Sequence, residues 1–166
     1  MCGIAGIISS KKNNLFYSNK LKKMISDINF RGPDDQGVWF DNMSNVYLAH
    51  ARLAIIDLSK NAKQPMTSRD GRFIISFNGE IYNHEDLREE ITTKYNIKWN
   101  SFSDTETLLK LIEIFGVKKT LSKVNGMFAF SCYDRKSDLL YLSRDKFGEK
   151  PLYYGLINGD FYFSSD

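Results

Sequence analysis

The apolar positions of this chain come in short runs set at strand spacing, interrupted by stretches at helical spacing. Cys2–Ile8 is an apolar run containing Gly3 and Gly6, the pattern of a buried strand that another backbone approaches closely. Leu21, Met24, Ile25 and Ile28 then follow helical spacing, with Lys20, Lys22 and Lys23 on the wet side, until Arg31-Gly32-Pro33-Asp34-Asp35 breaks the helix. Gly37–Phe40 and Val46–Ala51 predict two strands across a polar turn, and Leu53–Leu58 is a third apolar stretch. Lys60–Gly71 predicts a loop, and Phe73–Phe77 a strand ending at Asn78-Gly79. That dipeptide is a strong hairpin signal, with Glu80-Ile81-Tyr82 as the return. Asn83 is placed to cap a helix carrying Leu87 and Ile91 inward. Ser103-Asp104-Thr105-Glu106 has the pattern of a capping box, ahead of Leu108, Leu111, Ile112 and Phe115 on one face. Met127–Tyr133, Leu139–Ser143, Leu152–Leu156 and Phe161–Ser164 predict four more strands, the last two joined by Asn158-Gly159.

Many antiparallel strands with about three amphipathic helices predict an α+β fold rather than a parallel α/β one. No internal repeat and no interdomain linker interrupts the pattern, so 166 residues predict one domain. With 42% hydrophobic and 14% aromatic residues, the chain can build a core and is not of disordered composition. Its 23 basic and 20 acidic residues leave a net charge of +3, which offers no electrostatic footprint for nucleic acid or an anionic membrane. The N-terminus lacks the basic region and long apolar stretch of a signal peptide, and no run is long enough to span a bilayer, so the expectation is a soluble cytoplasmic chain.

Two cysteines, Cys2 and Cys132, build no disulfide framework and no zinc cluster. Cys132 lies in a strand and reads as core. Cys2 follows the initiator methionine. Once Met1 is removed, its thiol stands beside a free α-amine of pKa about 7.7–8.0, a base near neutrality next to a nucleophile of pKa about 8.5. The alternative is a small apolar residue in an edge strand. Asn78-Gly79 is either the turn or a pair of donors for an oxyanion, the amide of Asn78 and the backbone N–H of Gly79. Arg52 is either a surface or structural arginine or a clamp for a carboxylate. Asp104 either complements the positive end of its helix or binds an ammonium group.

Taken together, Met1-Cys2-Gly3-Ile4-Ala5-Gly6, Arg31-Gly32-Pro33-Asp34, His50–Asp57, Gln64-Pro65-Met66, Phe77–Asn83, Ser103–Glu106 and Arg144–Tyr154 stand in one family's order. The chain resembles, over its whole length, the class II glutamine amidotransferase domain of glutamine-hydrolysing asparagine synthetases. The resemblance implies an N-terminal-nucleophile hydrolase fold, a four-layer αββα sandwich of two antiparallel sheets between helices. It implies that Cys2 attacks the side-chain amide of L-glutamine with its own α-amine as base, and that Asn78 and Gly79 hold the oxyanion. Arg52 would bind the substrate carboxylate, and Asp104 with Glu80 its ammonium. No metal or organic cofactor is implied for this half-reaction; ATP and Mg²⁺ would serve a synthetase domain. That domain's Ser-Gly-Gly-x-Asp-Ser loop is absent from these residues, so the expectation is an amidotransferase domain over 1–166 whose ATP-binding partner lies outside the chain. The resemblance allows a homodimer and leaves open which acceptor takes the ammonia, sugar- and antibiotic-modifying relatives included. If Met1 is retained, a silent glutamine-sensing module is the alternative. The chain departs from the family pattern at Phe30, where histidine is usual, and at Ala62, where glycine is common.

Overall fold

In the computed structural model, which describes all 166 residues, nine strands and four helices follow one another. The order is β1 (Gly3–Ile8), α1 (Asn14–Asp27), β2 (Asp35–Asp41), β3 (Val46–Arg52), β4 (Met66–Thr67), β5 (Phe73–Ile81), α2 (His84–Tyr95), α3 (Asp104–Phe115), α4 (Val117–Leu121), β6 (Gly126–Asp134), β7 (Leu139–Arg144), β8 (Tyr153–Ile157) and β9 (Asp160–Ser164). They form a five-stranded sheet in the order β2-β3-β1-β9-β8 and a four-stranded sheet in the order β4-β5-β6-β7. All recorded pairings are antiparallel.

Side-chain alternation sorts the strand residues into layers. On β1 and β3, Ala5, Ile7, Tyr47, Ala49 and Ala51 pack against Tyr17, Leu21 and Ile25 of α1. Their alternates Ile4, Val46 and Leu48 meet Ile74, Ala129 and Tyr133 of the other sheet. The far face of that sheet, with Phe73, Ile75, Phe77, Phe130 and Cys132, packs on Leu108, Leu109 and Ile112 of α3. The result is helix, sheet, sheet, helix, the layering that the family resemblance implies within the α+β class the pattern predicts. Cys132 is core, fully buried. No helix is long and apolar enough to cross a membrane.

Several local expectations fail. Asn78-Gly79 is not a turn: β5 runs through it unbroken and pairs with β6 from Phe73↔Asp134 to Ile81↔Gly126. A two-residue type I′ turn needs positive φ at both central residues. Asn78 has none, whereas Asn158 (54°) and Gly159 (86°) both do and make the β8–β9 hairpin. The same dipeptide is thus a turn where no further partner is at hand and a strand where a nine-residue β6 pairs with it. The strand after Cys2 is not an edge strand: β1 lies between β3 and β9. The apolar stretch Leu53–Leu58 is a loop with Ile55 and Leu58 exposed. Asn83 stands at the N-cap of α2 without capping it; its side chain donates to the Lys123 carbonyl and accepts the Asn125 N–H instead. Helix α1 begins at Asn14, capped by the Asn13 side chain accepting the Phe16 N–H, well before Leu21. Strand β4 and helix α4 were not expected; β4 is a two-residue pairing inside the polar loop.

Candidate active site

The two sheets open at the end where β1 begins, and the layer parity of the strands decides what stands there. Register Gly3↔Ala51 continued by one residue sets Cys2 beside Arg52. Both have the parity of Ile4 and Leu48, and Asn78 has that of Ile74, so all three side chains turn into the space between the sheets. A cavity of about 130 Å³ lies there, lined by Cys2, Arg52, Asn78, Gly79, Glu80 and Asp104. All six residues singled out from the sequence therefore reach one place.

The Cys2 thiol is clasped by the backbone of one residue: the Leu53 N–H donates to its sulfur at 3.4 Å, and its S–H donates to the Leu53 carbonyl at 3.6 Å. Burial pushes the thiol above its ordinary pKa. The Leu53 N–H, the positive N-terminus and Arg52 oppose that shift, and Asp104 adds to it. A thiol held protonated needs a base before it can attack.

Asn78 is buried, and its amide nitrogen Nδ2 has no hydrogen-bond partner. Orphaned buried donors are costly and rare, which marks this one as awaiting an acceptor. Next to it, ladder alternation turns the N–H groups of Phe77, Gly79 and Ile81 away from β6. Beyond β4, which pairs only with Ile74 and Ile75, these groups need other acceptors. Phe77 donates to Gln64 Oε1 at 2.6 Å, and Ile81 donates to Asp104 Oδ2 at 3.1 Å. The Gly79 N–H lies between them and faces the cavity. Glycine is required here by close packing: a Cβ would stand 2.2 Å from the Met127 carbonyl oxygen and 2.6 Å from Phe128 Cα.

Asp104 opens α3 behind Ser103, whose hydroxyl caps the helix by accepting the Glu106 N–H at 3.2 Å. Glu106 does not complete a capping box; its carboxylate accepts the N–H groups of Asn100 and Ser101. With one oxygen on Ile81 and no cation paired with it, the buried Asp104 carboxyl is raised by desolvation, against the Ile81 N–H and His84. Arg52 donates to the carbonyls of Asp57 and Ser59, closing the 53–59 loop over the site and leaving other guanidinium hydrogens free. Glu80 is exposed at the rim. The cavity thus sets a cation and an anion at separate positions around a thiol and two free N–H donors.

Sequence reasoning missed four contributors. Leu53 holds the thiol through its backbone, which no side-chain pattern reports. Gln64, whose Nε2 donates to Thr105 Oγ1 at 3.1 Å, braces the edge of β5 beside Gly79. Met1 and Lys150 close the cavity on the side of the N-terminus.

A cysteine nucleophile candidate at the open end of an αββα sandwich defines the class: the fold is that of the N-terminal-nucleophile hydrolases. The solved structure of glutamine phosphoribosylpyrophosphate amidotransferase from Bacillus subtilis shares it, with a TM-score of 0.81 over 99% of this chain and 42% of that one, at 20% identity. Within that class the chain belongs to the glutamine amidotransferase domain family, whose model matches residues 1–166. It is 40% identical over 182 residues to a putative glutamine-hydrolysing asparagine synthetase of Methanocaldococcus jannaschii. It is 39% identical over 170 residues to asparagine synthetase 1 of B. subtilis and 35% over 167 to asparagine synthetase B of Escherichia coli. Each alignment takes in all of this chain but only 34%, 26% and 29% of the respective relative.

Proposed function

We infer that this domain hydrolyses L-glutamine to glutamate and ammonia through a thioester on Cys2. The observation that carries the reading is the buried, unpartnered Asn78 Nδ2 beside the free Gly79 N–H, both facing the cavity that holds the thiol. After removal of Met1, the α-amine takes the thiol proton as sulfur attacks the side-chain carbonyl carbon, and the oxygen, now negative, is received by the two donors. The amine returns its proton to the leaving nitrogen, the C–N bond breaks, and ammonia departs. Water then attacks the thioester, giving its proton to the amine; the C–S bond breaks and the thiol is restored. Arg52 binds the substrate carboxylate, and Asp104, aided by Glu80, its ammonium, so that an amino acid is read at both ends. Thiol, amine and two donors supply every group this half-reaction asks for, with no metal or organic cofactor.

The relatives extend well beyond this domain and are named asparagine synthetases. The ammonia accordingly passes to an ATP- and Mg²⁺-using synthetase domain that makes asparagine. Met1-free protein incubated with glutamine is expected to release ammonia and glutamate and to show the mass of a γ-glutamyl adduct on rapid acid quench. Cys2→Ala should abolish both. Ammonia release undiminished in Cys2→Ala would overturn the mechanism.

A further inference from the structure

Lys150 is a buried lysine whose ammonium pairs with no carboxylate. It is 5% exposed, takes part in none of the ion pairs of the molecule, and donates only to the thioether sulfur of Met1, at 2.9 Å. Its backbone is fixed on both sides. Its N–H donates to Asp145 Oδ2 at 3.1 Å, and its carbonyl accepts the Arg144 Nε–H at 2.6 Å. Asp145 itself accepts the N–H groups of Phe128, Phe147 and Glu149, binding this loop to the start of β6. The chain therefore spends a clamped loop on holding a charge that finds only a weak acceptor, at the wall of the cavity containing Cys2.

Resting on the glutaminase reading above, we propose that Lys150 is a positioning residue that keeps the α-amine of mature Cys2 unprotonated at neutral pH. Met1 Sδ and the Cys2 nitrogen are separated by five covalent bonds, so the ammonium lies no more than about 9 Å from that nitrogen. Removal of Met1 takes away its only hydrogen-bond acceptor and leaves two cationic groups facing one cavity. A unit charge at that range, at an effective dielectric near 20, lowers an amine pKa by roughly one unit. The other charged groups around Cys2 are Arg31, which donates to the Cys2 carbonyl, and Arg52 on β3. On the acidic side stand Asp57 of the loop after β3, Glu80 on β5, Asp104 on α3, and Asp166 against Arg31. The acids favour a protonated amine, and Lys150 offsets them.

The test compares Met1-free wild type, Lys150→Met, Lys150→Gln and Lys150→Arg, each verified by intact mass and thermal melting. The expected result is that the acid limb of kcat/KM for glutamine moves up by about one pH unit in Lys150→Met and Lys150→Gln and stays in place in Lys150→Arg. The pH dependence of Cys2 alkylation by iodoacetamide, which needs no glutamine, should move the same way. Coincident limbs and coincident alkylation midpoints in folded Lys150→Met and wild type would overturn the proposal. A shifted alkylation midpoint in a protein that releases no ammonia from glutamine would uphold the Lys150 assignment and sink the glutaminase reading instead.

Discussion

The His50 imidazole Nε2–H donates to the Phe77 carbonyl at 3.0 Å, tying β3 of one sheet to the β5 backbone of the other immediately before Asn78. The ring is wholly buried and its Nδ1 has no partner. Burial outweighs the pull of the Phe77 carbonyl and brings its pKa down to about 4. Near neutrality the ring is therefore neutral, as the donation through Nε2 and an unprotonated Nδ1 require.

From pH 6.5 down to about 4 the unfolded chain binds a proton that the folded chain refuses, so folding stability should fall across that window as the pH drops. The whole window is worth roughly 3 kcal/mol. Urea unfolding at stepped pH is expected to show this limb in the wild type and to lack it in His50→Gln. An identical limb in both proteins would remove His50 as its cause.

Asn78→Ala and Gly79→Ala should separate a lost donor from a lost strand. Removing the unpartnered Asn78 amide takes away the donor proposed for the oxyanion, so kcat is expected to fall about 10²–10³-fold with little change in KM and an almost unchanged melting temperature. A methyl at Gly79 collides with backbone atoms of Met127 and Phe128, so that variant should lose both activity and thermal stability. Steady-state kinetics beside thermal melts check the pair, and an Asn78→Ala protein with wild-type kcat would remove the residue from the oxyanion site.

Asp104 presents the opposite trade. Its folded carboxyl titrates above its ordinary value because it is desolvated. The folded protein thus holds this proton more tightly than the unfolded chain, and stability is lost as the pH rises through the raised pKa. At neutral pH the ionised group is a cost that a substrate ammonium would offset. Asp104→Asn keeps an acceptor for the Ile81 N–H and should melt higher than wild type at pH 7, with the gap closing toward acid, while glutamine binding measured by calorimetry is lost. A variant that still binds glutamine tightly would overturn the ammonium assignment.

Much of this was legible along the chain, and the failures share one cause. Alternation of apolar residues at period two marks strands whatever their partners, and the Ser103 cap marks the start of α3 from neighbours in sequence. The Asn78-Gly79 turn failed because its conformation was set by β6, about fifty residues away, and not by its own preferences. The apolar stretch after Arg52 is likewise shaped by contacts its own pattern does not report. Arg52 donates to the carbonyls of Asp57 and Ser59, and Asp57 accepts the Phe102 N–H at 2.7 Å, which fold an apolar stretch over the site instead of into a sheet.

The sequence by itself determined the α+β character, because strand and helical spacing are local properties, and residue type singled out Cys2, Arg52, Asn78, Gly79 and Asp104, while the αββα layering and the role of Glu80 came with the resemblance its motifs carry to a family. Only the tertiary structure decided that they meet. Strand register turns Cys2, Arg52 and Asn78 to the same side, and ladder alternation leaves the Gly79 N–H unclaimed between Gln64 and Asp104. Lys150 entered the cavity by the same route: a residue in a loop distant along the chain became part of the site because Asp145 and Arg144 fasten it there. Register and long-range hydrogen bonds pair residues far apart in the chain, and no local pattern records them.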